Sequence, residues 1–228
     1  MQVLDKGEIN LINFVGGDEA VVASARVSNG ILYQDASKGE EKDAKLIKYL
    51  LLHQHMTPFE HSLFTFYVKC PIFVAREWMR HRSGSFNEIS GRYVEFEPEF
   101  YIPKIYRTSA PTNKQGSVTP TEPVNGLDLE DWHDYNRRVI HEVVTYNFSH
   151  YKWLLSQGVA KEMARMILPL SLYTQFYWTV NARNLMHFIE LRQAEDAQFE
   201  IREYAKAALS IFSEKMPVTA GIFLSRFR

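Results

Sequence analysis

Cysteine is almost missing from this chain of 228 residues, which contains only Cys70. A single cysteine excludes an intramolecular disulfide and suits a reducing compartment, and no second thiol stands at a metal-ligand spacing from it. A catalytic thiol needs a neighbouring base or positive charge, whereas Cys70 ends an apolar run beside Pro71. We therefore predict that Cys70 packs in the interior and does not act as a nucleophile.

An excess of basic charge is missing too. The formal net charge is −1 and the sequence pI is about 6.7, whereas proteins that bind long nucleic acids usually carry a basic balance. No apolar run reaches the length of a membrane-spanning helix. The apolar residues 11–15 are too few, and too closely preceded by charges, to form a signal peptide. We expect a cytoplasmic protein with neither nucleic acid nor membrane as its partner.

Two common cofactor motifs are also lacking. Residues 53–61 hold three histidines and a glutamate, but they lack the His-Glu-x-x-His spacing, and Pro58 disrupts a common helix face. We therefore predict no metal site. No Gly-x-Gly-x-x-Gly motif occurs, so a dinucleotide cofactor would not be held in a Rossmann fold.

What the chain does contain is a clear apolar periodicity, which divides it into many helices and few strands. Helical spacing predicts helices over residues 18–28, 40–53, 71–80, 128–157, 159–168, 181–193 and 196–215. Asp18 is the expected N-cap of the first, and Pro217 is expected to end the last. Runs of β-branched and aromatic residues predict strands over 62–70 and 171–180, and residues 107–125 predict a surface loop. The pattern is that of a helix-rich α+β chain with antiparallel strands, in one domain spanning 1–228.

Residues 80–93 form the stretch richest in chemical groups. Arg80, His81, Arg82 and Arg92 stand there among three serines, an amide, a carboxylate and two glycines. Arginine forks match phosphate oxygens, and glycines let backbone N–H groups approach an anion, so the stretch predicts a site for a phosphorylated ligand. Alternatively, the Arg-His-Arg triplet only closes a helix, where cations are favoured by the dipole. That alternative leaves the serines, the amide and the carboxylate without a role.

The stretch resembles the signature of the flavin-dependent thymidylate synthases. That signature is an Arg-His-Arg triplet, seven residues and a serine, extended by Asn-Glu-x-Ser-x-Arg-Tyr, and residues 80–93 fill every fixed position. Further stretches similar to the family follow one another in family order at 25–28, 55–61, 164–170, 179–183 and 191–192. The similarity thus covers most of the chain.

The resemblance implies a fold and a reaction. The fold would be a central antiparallel sheet flanked by helices, assembled as a homotetramer with active sites between subunits. The reaction would be the reductive methylation of dUMP to dTMP in de novo dTMP biosynthesis. Methylenetetrahydrofolate would give the carbon, FAD reduced by NADPH would give the hydride, and no cysteine nucleophile would be needed.

Site residues carried over from the family fall into three groups. The side chains expected to act in catalysis are His55, beside the flavin and the folate, and Arg192. The residues expected to surround dUMP are Arg80, Ser85, Glu88, Ser90, Gly91, Arg92, Arg165 and Arg192. The residues expected to hold FAD are Ser28, Arg80, His81, Arg82, Asn181, Arg183 and His187. Glu77 departs from the family, in which glutamine is common at this position, and a carboxylate there would repel a phosphate.

Two other functions are compatible with the same residues. One keeps the flavin and the folate but methylates uracil in RNA. The other is a non-enzymatic nucleotide- or RNA-binding module, in which arginines bind phosphate and Phe86 or Tyr93 stacks on bases. The near-neutral pI counts against the binding module.

Overall fold

A five-stranded antiparallel sheet lies at the centre of the computed structural model, which describes residues 1–31, 33, 36–112 and 116–225. The strands along the chain are β1 (Gln2–Val3), β2 (Gly7–Val15), β3 (Leu63–Pro71), β4 (Ser85–Glu88), β5 (Thr108–Ser109), β6 (Ser117–Val118) and β7 (Tyr173–Asn181). The central sheet has the order β1-β2-β3-β7-β4, and β5 and β6 form a separate hairpin. The prediction of an α+β fold with an antiparallel sheet is confirmed.

Helices fill most of the rest of the described chain. They are α1 (Asp18–Val27), α2 (Glu40–Leu52), α3 (Ile72–Trp78), α4 (Leu129–Ser156), α5 (Lys161–Ala164), α6 (Ala182–Gln193), α7 (Phe199–Lys215) and α8 (Pro217–Leu224). Short 3-10 turns occupy Thr57–His61 and Arg165–Ile167. All the helices predicted from the sequence are present, although the one expected over 159–168 is divided between α5 and the second 3-10 turn.

Buried and partly exposed side chains alternate along β3 and β7, which gives the sheet one buried face. Phe66 pairs with Trp178 in the ladder, and both are fully buried together with the other inward-facing residues of the two strands. Their neighbours Thr65 and Tyr177 point to the opposite face, where Tyr177 is 49% exposed. The buried face packs against α3, α6 and α7.

The core is centred on Trp78, the last residue of α3. Its ring lies 4.7 Å from that of Phe188, 5.3 Å from that of Trp178 and 5.7 Å from that of Tyr204. These contacts join α3, α6, α7 and β7 in one aromatic cluster. Because the cluster fixes the end of α3, it also fixes the point at which residues 80–93 leave the core.

Two sequence-based expectations need correction, and one helix was not predicted. Asp18 is not the N-cap of α1, since its carboxylate accepts hydrogen bonds from the backbone N–H groups of Val218 and Thr219 at the start of α8. Helix α7 ends at Lys215, ahead of Pro217, as expected, but Pro217 also begins α8, which was not predicted. The expected loop at 107–125 contains the β5–β6 hairpin, while residues 113–115 lie outside the described part of the chain.

Cys70 is buried in β3, as predicted. Burial raises the pKa of its thiol well above the usual range, and Glu88 adds to the rise. A thiol in this environment remains protonated at neutral pH and is a poor nucleophile.

Candidate active site

A cavity of about 290 Å³ opens where residues 80–83 turn from α3 towards β4. The turn forms one wall and α6 forms the other. Trp178 and Val180, near the carboxyl end of β7, form the floor. The lining residues are Arg80, His81, Arg82, Ser83, Trp178, Val180, Asn184, His187, Leu191 and Arg192. Five of the predicted site residues therefore meet here: Arg80, His81, Arg82, His187 and Arg192.

Gly84 allows the turn to lie directly on the cavity floor. A Cβ atom at this position would stand 2.7 Å from Trp178 Nε1 and 3.0 Å from the carbonyl oxygen of Thr179. Any side chain larger than hydrogen would therefore push the turn away from β7. Directly after Gly84, β4 pairs with β7, with Ser85 opposite Thr179 and Glu88 opposite Phe176.

Arg192 is held inside the cavity by three hydrogen bonds. Its Nε donates to His81 Nε2 at 3.0 Å, one terminal nitrogen donates to the Glu77 carboxylate at 3.3 Å, and the other donates to the Glu77 backbone carbonyl at 3.1 Å. Glu77 itself is not among the cavity-lining residues. The expected repulsion between Glu77 and a phosphate is thus reduced, because the carboxylate faces Arg192 and lies behind it.

His81 is neutral in this arrangement. A ring nitrogen that accepts a hydrogen bond carries no proton, so the bond from Arg192 requires the tautomer protonated at Nδ1. Burial lowers the pKa of His81 to about 4, and the positive charge of Arg192 and the proximity of His187 add to the fall. The pKa of Glu77 is raised by burial, with Arg192 opposing the rise and Glu200 adding to it.

Arg80 and Arg82 are the cavity's available cations. Both side chains are exposed, and within the described part of the chain neither forms an ion pair or hydrogen bond. A guanidinium group with all its donors free is suited to bind phosphate oxygens. Asn184 and His187 add polar groups from the facing side of α6.

A second group of predicted residues lies at the other end of β4. Glu88 accepts a hydrogen bond from the Thr174 hydroxyl at 2.5 Å, and Glu88 and Arg165 both line a smaller cavity of about 160 Å³. Gly91 packs between Phe96 and Arg165, since a Cβ there would meet the Phe96 ring at 2.3 Å and Arg165 Cδ at 3.1 Å. The signature thus reaches from the first cavity to the second.

Three more signature residues lie at or near the surface. Arg92 forms an exposed ion pair with Glu162 at 3.4 Å, of the kind that contributes little to stability. Ser90 accepts a hydrogen bond from the Arg92 backbone N–H at 3.3 Å. Ser85 is exposed on β4, opposite Thr179.

The remaining predicted residues do not line either cavity in this chain. Asn181 caps α6 by accepting a hydrogen bond from the Asn184 N–H at 2.9 Å. Arg183 is paired with Glu60 at 2.5 Å. Ser28 follows α1 at the surface. The exposed His55 lies beside Tyr49, with ring centroids 5.7 Å apart.

Sequence reasoning assigned no role to five residues that line the first cavity: Ser83, Trp178, Val180, Asn184 and Leu191. Leu191 and His187 stand four positions apart, so the helical period places them on one face, and this spacing could have identified Leu191. Trp178 stands in a strand of hydrophobic residues, where nothing in the pattern distinguishes a cavity floor from a core position. Its Nε1 is buried without a hydrogen-bond partner in the described structure.

The chain is similar to known proteins over nearly its whole length. The model of the family described as thymidylate synthase complementing protein matches residues 10–218. The chain belongs to that family. Proteins of this family named flavin-dependent thymidylate synthase include one from Thermosipho africanus, 48% identical over 223 residues, which are 98% of this chain and 93% of the relative. Another, from Thermus thermophilus, is 45% identical over 233 residues, covering 98% of this chain and 81% of the relative.

Solved structures give the same assignment. The chain resembles the UMP/dUMP methylase PolB from Streptomyces cacaoi, bound with 5-Br dUMP, with a TM-score of 0.87 and 34% identity over 99% of this chain and 97% of that one. A second structure of PolB, bound with 5-Br UMP, gives a TM-score of 0.84. The chain is thus an enzyme of the flavin-dependent thymidylate synthase family, as its signature predicted.

The described residues contain neither a cluster suited to a metal ion nor a membrane-spanning helix. No three histidine, cysteine or acidic side chains among them come together as a group that could hold a metal ion. None of their helices is both long enough and apolar enough to cross a membrane.

Proposed function

We propose that the chain catalyses the reductive methylation of dUMP to dTMP, with methylenetetrahydrofolate as carbon donor and FAD, reduced by NADPH, as hydride carrier. The observation that carries the proposal is the convergence of the Arg-His-Arg triplet with Arg192 and His187 on one cavity of a chain from this family. The naming of relatives as flavin-dependent and of the solved neighbour as a dUMP methylase supports it.

Phosphate binding is the first task of the cavity. Arg80 and Arg82 are unpaired in the described structure, so an incoming phosphate would not have to displace an internal ion pair. A hydrogen bond to a charged group contributes about 1.5–3 kcal/mol. Two or three such bonds to one phosphate support roughly micromolar binding.

The positive side chains of the cavity match the negative phosphates of a flavin nucleotide, although the cavity of one chain is too small for the whole cofactor. Small-molecule sites typically measure about 300–1,000 Å³, so about 290 Å³ accommodates only part of a dinucleotide. Arg80, His81, Arg82 and His187 would hold that part. When bound and reduced, the flavin supplies the hydride. We propose that Ser28, Asn181, Arg183 and His55 contribute to sites completed by other subunits.

Assembly as a homotetramer would provide these neighbouring subunits. Helix α4 carries a stripe of exposed apolar residues opposite its buried face, which we call the α4 stripe: Tyr135, Val139, Val143, Tyr146 and Trp153. These side chains are 39–64% exposed in the single chain. A row of exposed apolar side chains of this length is typical of a surface that is covered in an assembly.

Arg192 is proposed to act on the nucleotide and not on the flavin. It is the cavity's fixed cation, whereas Arg80 and Arg82 are free to follow a phosphate. A fixed positive charge stabilises negative charge that develops on the pyrimidine during methylation. No thiol is available for covalent activation, because Cys70 is buried in the core.

An anaerobic assay tests the proposed reaction. Purified protein reconstituted with FAD and reduced by NADPH should convert dUMP to dTMP when methylenetetrahydrofolate is added, and omission of any one component should abolish the product. Protein that takes up no flavin, or that forms no dTMP in the complete mixture, contradicts the proposal.

UMP is a second candidate substrate, because the structural neighbour is named as a methylase of both UMP and dUMP. The same assay with UMP, dUMP and a uracil-containing oligoribonucleotide at equal concentrations separates the three possibilities. We expect dUMP to give the highest kcat/KM. A higher value for RNA would favour the RNA methylation function.

A further inference from the structure

We propose that Glu77 is a positioning residue, which holds Arg192 by its carboxylate and its backbone carbonyl so that Arg192 Nε stays bonded to His81 on the cavity wall. Each of the three bonds uses a different nitrogen of the guanidinium group. With all three nitrogens engaged, the planar group has little rotational freedom. The proposal deepens the proposed function, because it concerns how this same cavity is prepared for its ligands.

The location of the pair supports a positioning role. Glu77 and Arg192 stand on α3 and α6, with side chains 28% and 21% exposed. Arg192 lines the cavity and Glu77 does not. The pair is thus sufficiently shielded for the charges to interact, while the carboxylate remains behind the guanidinium and away from an incoming anion.

The consequence for His81 follows from the same geometry. The titratable and charged groups around His81 come from three places. Arg192 and His187 lie on α6, Glu77 lies on α3, and Arg80 and Arg82 are its neighbours in the chain. Glu200 on α7 raises the pKa of Glu77. Arg192 can act on His81 only while it is held against the ring. Burial is the largest cause of the low pKa of His81, and Arg192 adds to it, so Glu77 contributes indirectly by holding Arg192 in place. The turn at residues 80–82 thus keeps one hydrogen-bond acceptor among its cations.

The test is a titration of His81 by NMR in the full-length protein, with the signal assigned from a His81→Asn variant. In the wild-type protein His81 should titrate near 4. Glu77→Ala removes the bond to the carboxylate and leaves only the backbone carbonyl of residue 77 to hold Arg192 against the ring. Arg192 should then be less firmly placed, and the pKa of His81 should rise from about 4 towards the ordinary value of 6.5. Glu77→Gln keeps an acceptor for the guanidinium and should leave the pKa low. Arg192→Ala should raise the pKa as Glu77→Ala does, and the double variant should raise it no further.

Several results would overturn the proposal. Titration of wild-type His81 near 6.5 would do so without any variant, so the test does not depend on whether Glu77→Ala folds. An unchanged pKa in a folded Glu77→Ala protein would also do so. Glu60→Ala is the matched control, because it removes a carboxylate paired with another arginine of α6 without touching His81.

Binding measurements separate this inference from the proposed function. Glu77→Ala should weaken dUMP binding about tenfold, since a charge-assisted contact becomes less ordered, and Glu77→Gln should restore it. If neither the wild type nor any variant binds flavin or dUMP, the proposed function is wrong. The titration of His81 then still tests whether Glu77 positions Arg192. Equal dUMP affinity in Glu77→Ala and wild type overturns the positioning role in binding.

Discussion

Arg192 is the residue on which the cavity most depends, because it is a cation held at a fixed position. In an Arg192→Ala variant we expect dUMP affinity to fall about tenfold or more, since one charge-assisted hydrogen bond is lost. Flavin content should stay near normal, because Arg80 and Arg82 remain. Equilibrium dialysis with dUMP and the flavin absorbance of the purified protein measure the two effects.

A control for that variant is available on α3. Arg76 is exposed and lies outside the cavity, so Arg76→Ala removes a cation from the neighbouring helix without changing the site. If Arg192→Ala binds dUMP as the wild type does, Arg192 has no place in the nucleotide site.

His81 should make the folded protein sensitive to acid. Below its ordinary pKa of 6.5 the unfolded chain takes up a proton on His81, whereas the folded chain does so only near pH 4. The contribution of this group to stability is therefore complete above about pH 6.5 and is lost progressively as the pH falls towards 4. Urea midpoints at pH 7.5 and 4.5 should differ less in His81→Asn than in the wild type.

The surface histidine His141 on α4 supplies the comparison for the acid experiment. His141→Asn should keep the wild-type difference between the two midpoints. Equal differences in wild type and His81→Asn would show that His81 does not couple folding to protonation.

At the residue scale, the sequence identified the chemistry of the cavity but not its internal bonds. The signature indicated Arg80, His81 and Arg82, and the structure brings them to one cavity with His187 and Arg192. The contact of Glu77 with Arg192 joins positions 115 apart in the chain. Local spacing carries no information on which residue of α6 faces α3, so this contact required the fold.

Among the elements, the short strand β4 is the one that places the signature. In Gly84→Ala the new methyl group would meet Trp178 Nε1 and the Thr179 carbonyl oxygen at 3.0 Å or less. The turn must then move off β7, and we expect a loss of about 1–3 kcal/mol in the free energy of unfolding together with weaker nucleotide binding. Urea denaturation and dUMP titration check the two parts.

Gly221 on α8 is a suitable comparison, since a Cβ there would meet no atom within 4 Å. Gly221→Ala should be neutral or stabilise the helix by about 0.5–1 kcal/mol. A Gly84→Ala protein as stable as Gly221→Ala would contradict the close approach at Gly84.

Three elements that were not predicted each have their own physical cause. Strand β2 has a break in register between Leu11 and Asn13, so the apolar alternation changes phase within nine residues. Strand β4 is four residues long and lies at the edge of the sheet, which is too short for a period to emerge. Helix α8 begins at Pro217, and a proline indicates the start of a helix as readily as the end of one.

For the whole molecule, the α4 stripe predicts how the chain associates. Tyr146 is 64% exposed near the middle of the stripe. If the stripe is the interface of the proposed tetramer, Tyr146→Glu would bury a charge there, so we expect the variant to form smaller species than the wild type. Sedimentation velocity at several protein concentrations measures the assembly, and flavin content should fall with it if subunits share the site.

Thr145 provides the matched substitution, because it is exposed on α4 but stands outside the stripe. Thr145→Glu should sediment as the wild type does. If Tyr146→Glu also keeps the wild-type sedimentation coefficient, the stripe is not a subunit interface.

At this scale the fold class was predictable and the arrangement of the site was not. Strict alternation in β3, such as buried Phe64 and Phe66 on either side of Thr65, indicates a half-buried antiparallel strand without any tertiary information. The separation of His55 and Ser28 from the cavity depends on how surfaces of distant segments meet. A sequence pattern indicates which face of a helix or strand is apolar, but it does not indicate which other segment packs against that face.

The aromatic cluster below the cavity has an optical consequence. Trp178 lines the cavity floor and lies edge-on to Trp78, while Trp153 is exposed far along the chain on α4. A ligand that enters the cavity changes the surroundings of the Trp178 indole and so changes the ultraviolet emission of the unlabelled protein. Iodide in the solvent quenches the exposed Trp153 and, less strongly, the half-buried Trp132 on α4, so the emission that remains comes mainly from Trp78 and Trp178 and reports the occupancy of the cavity.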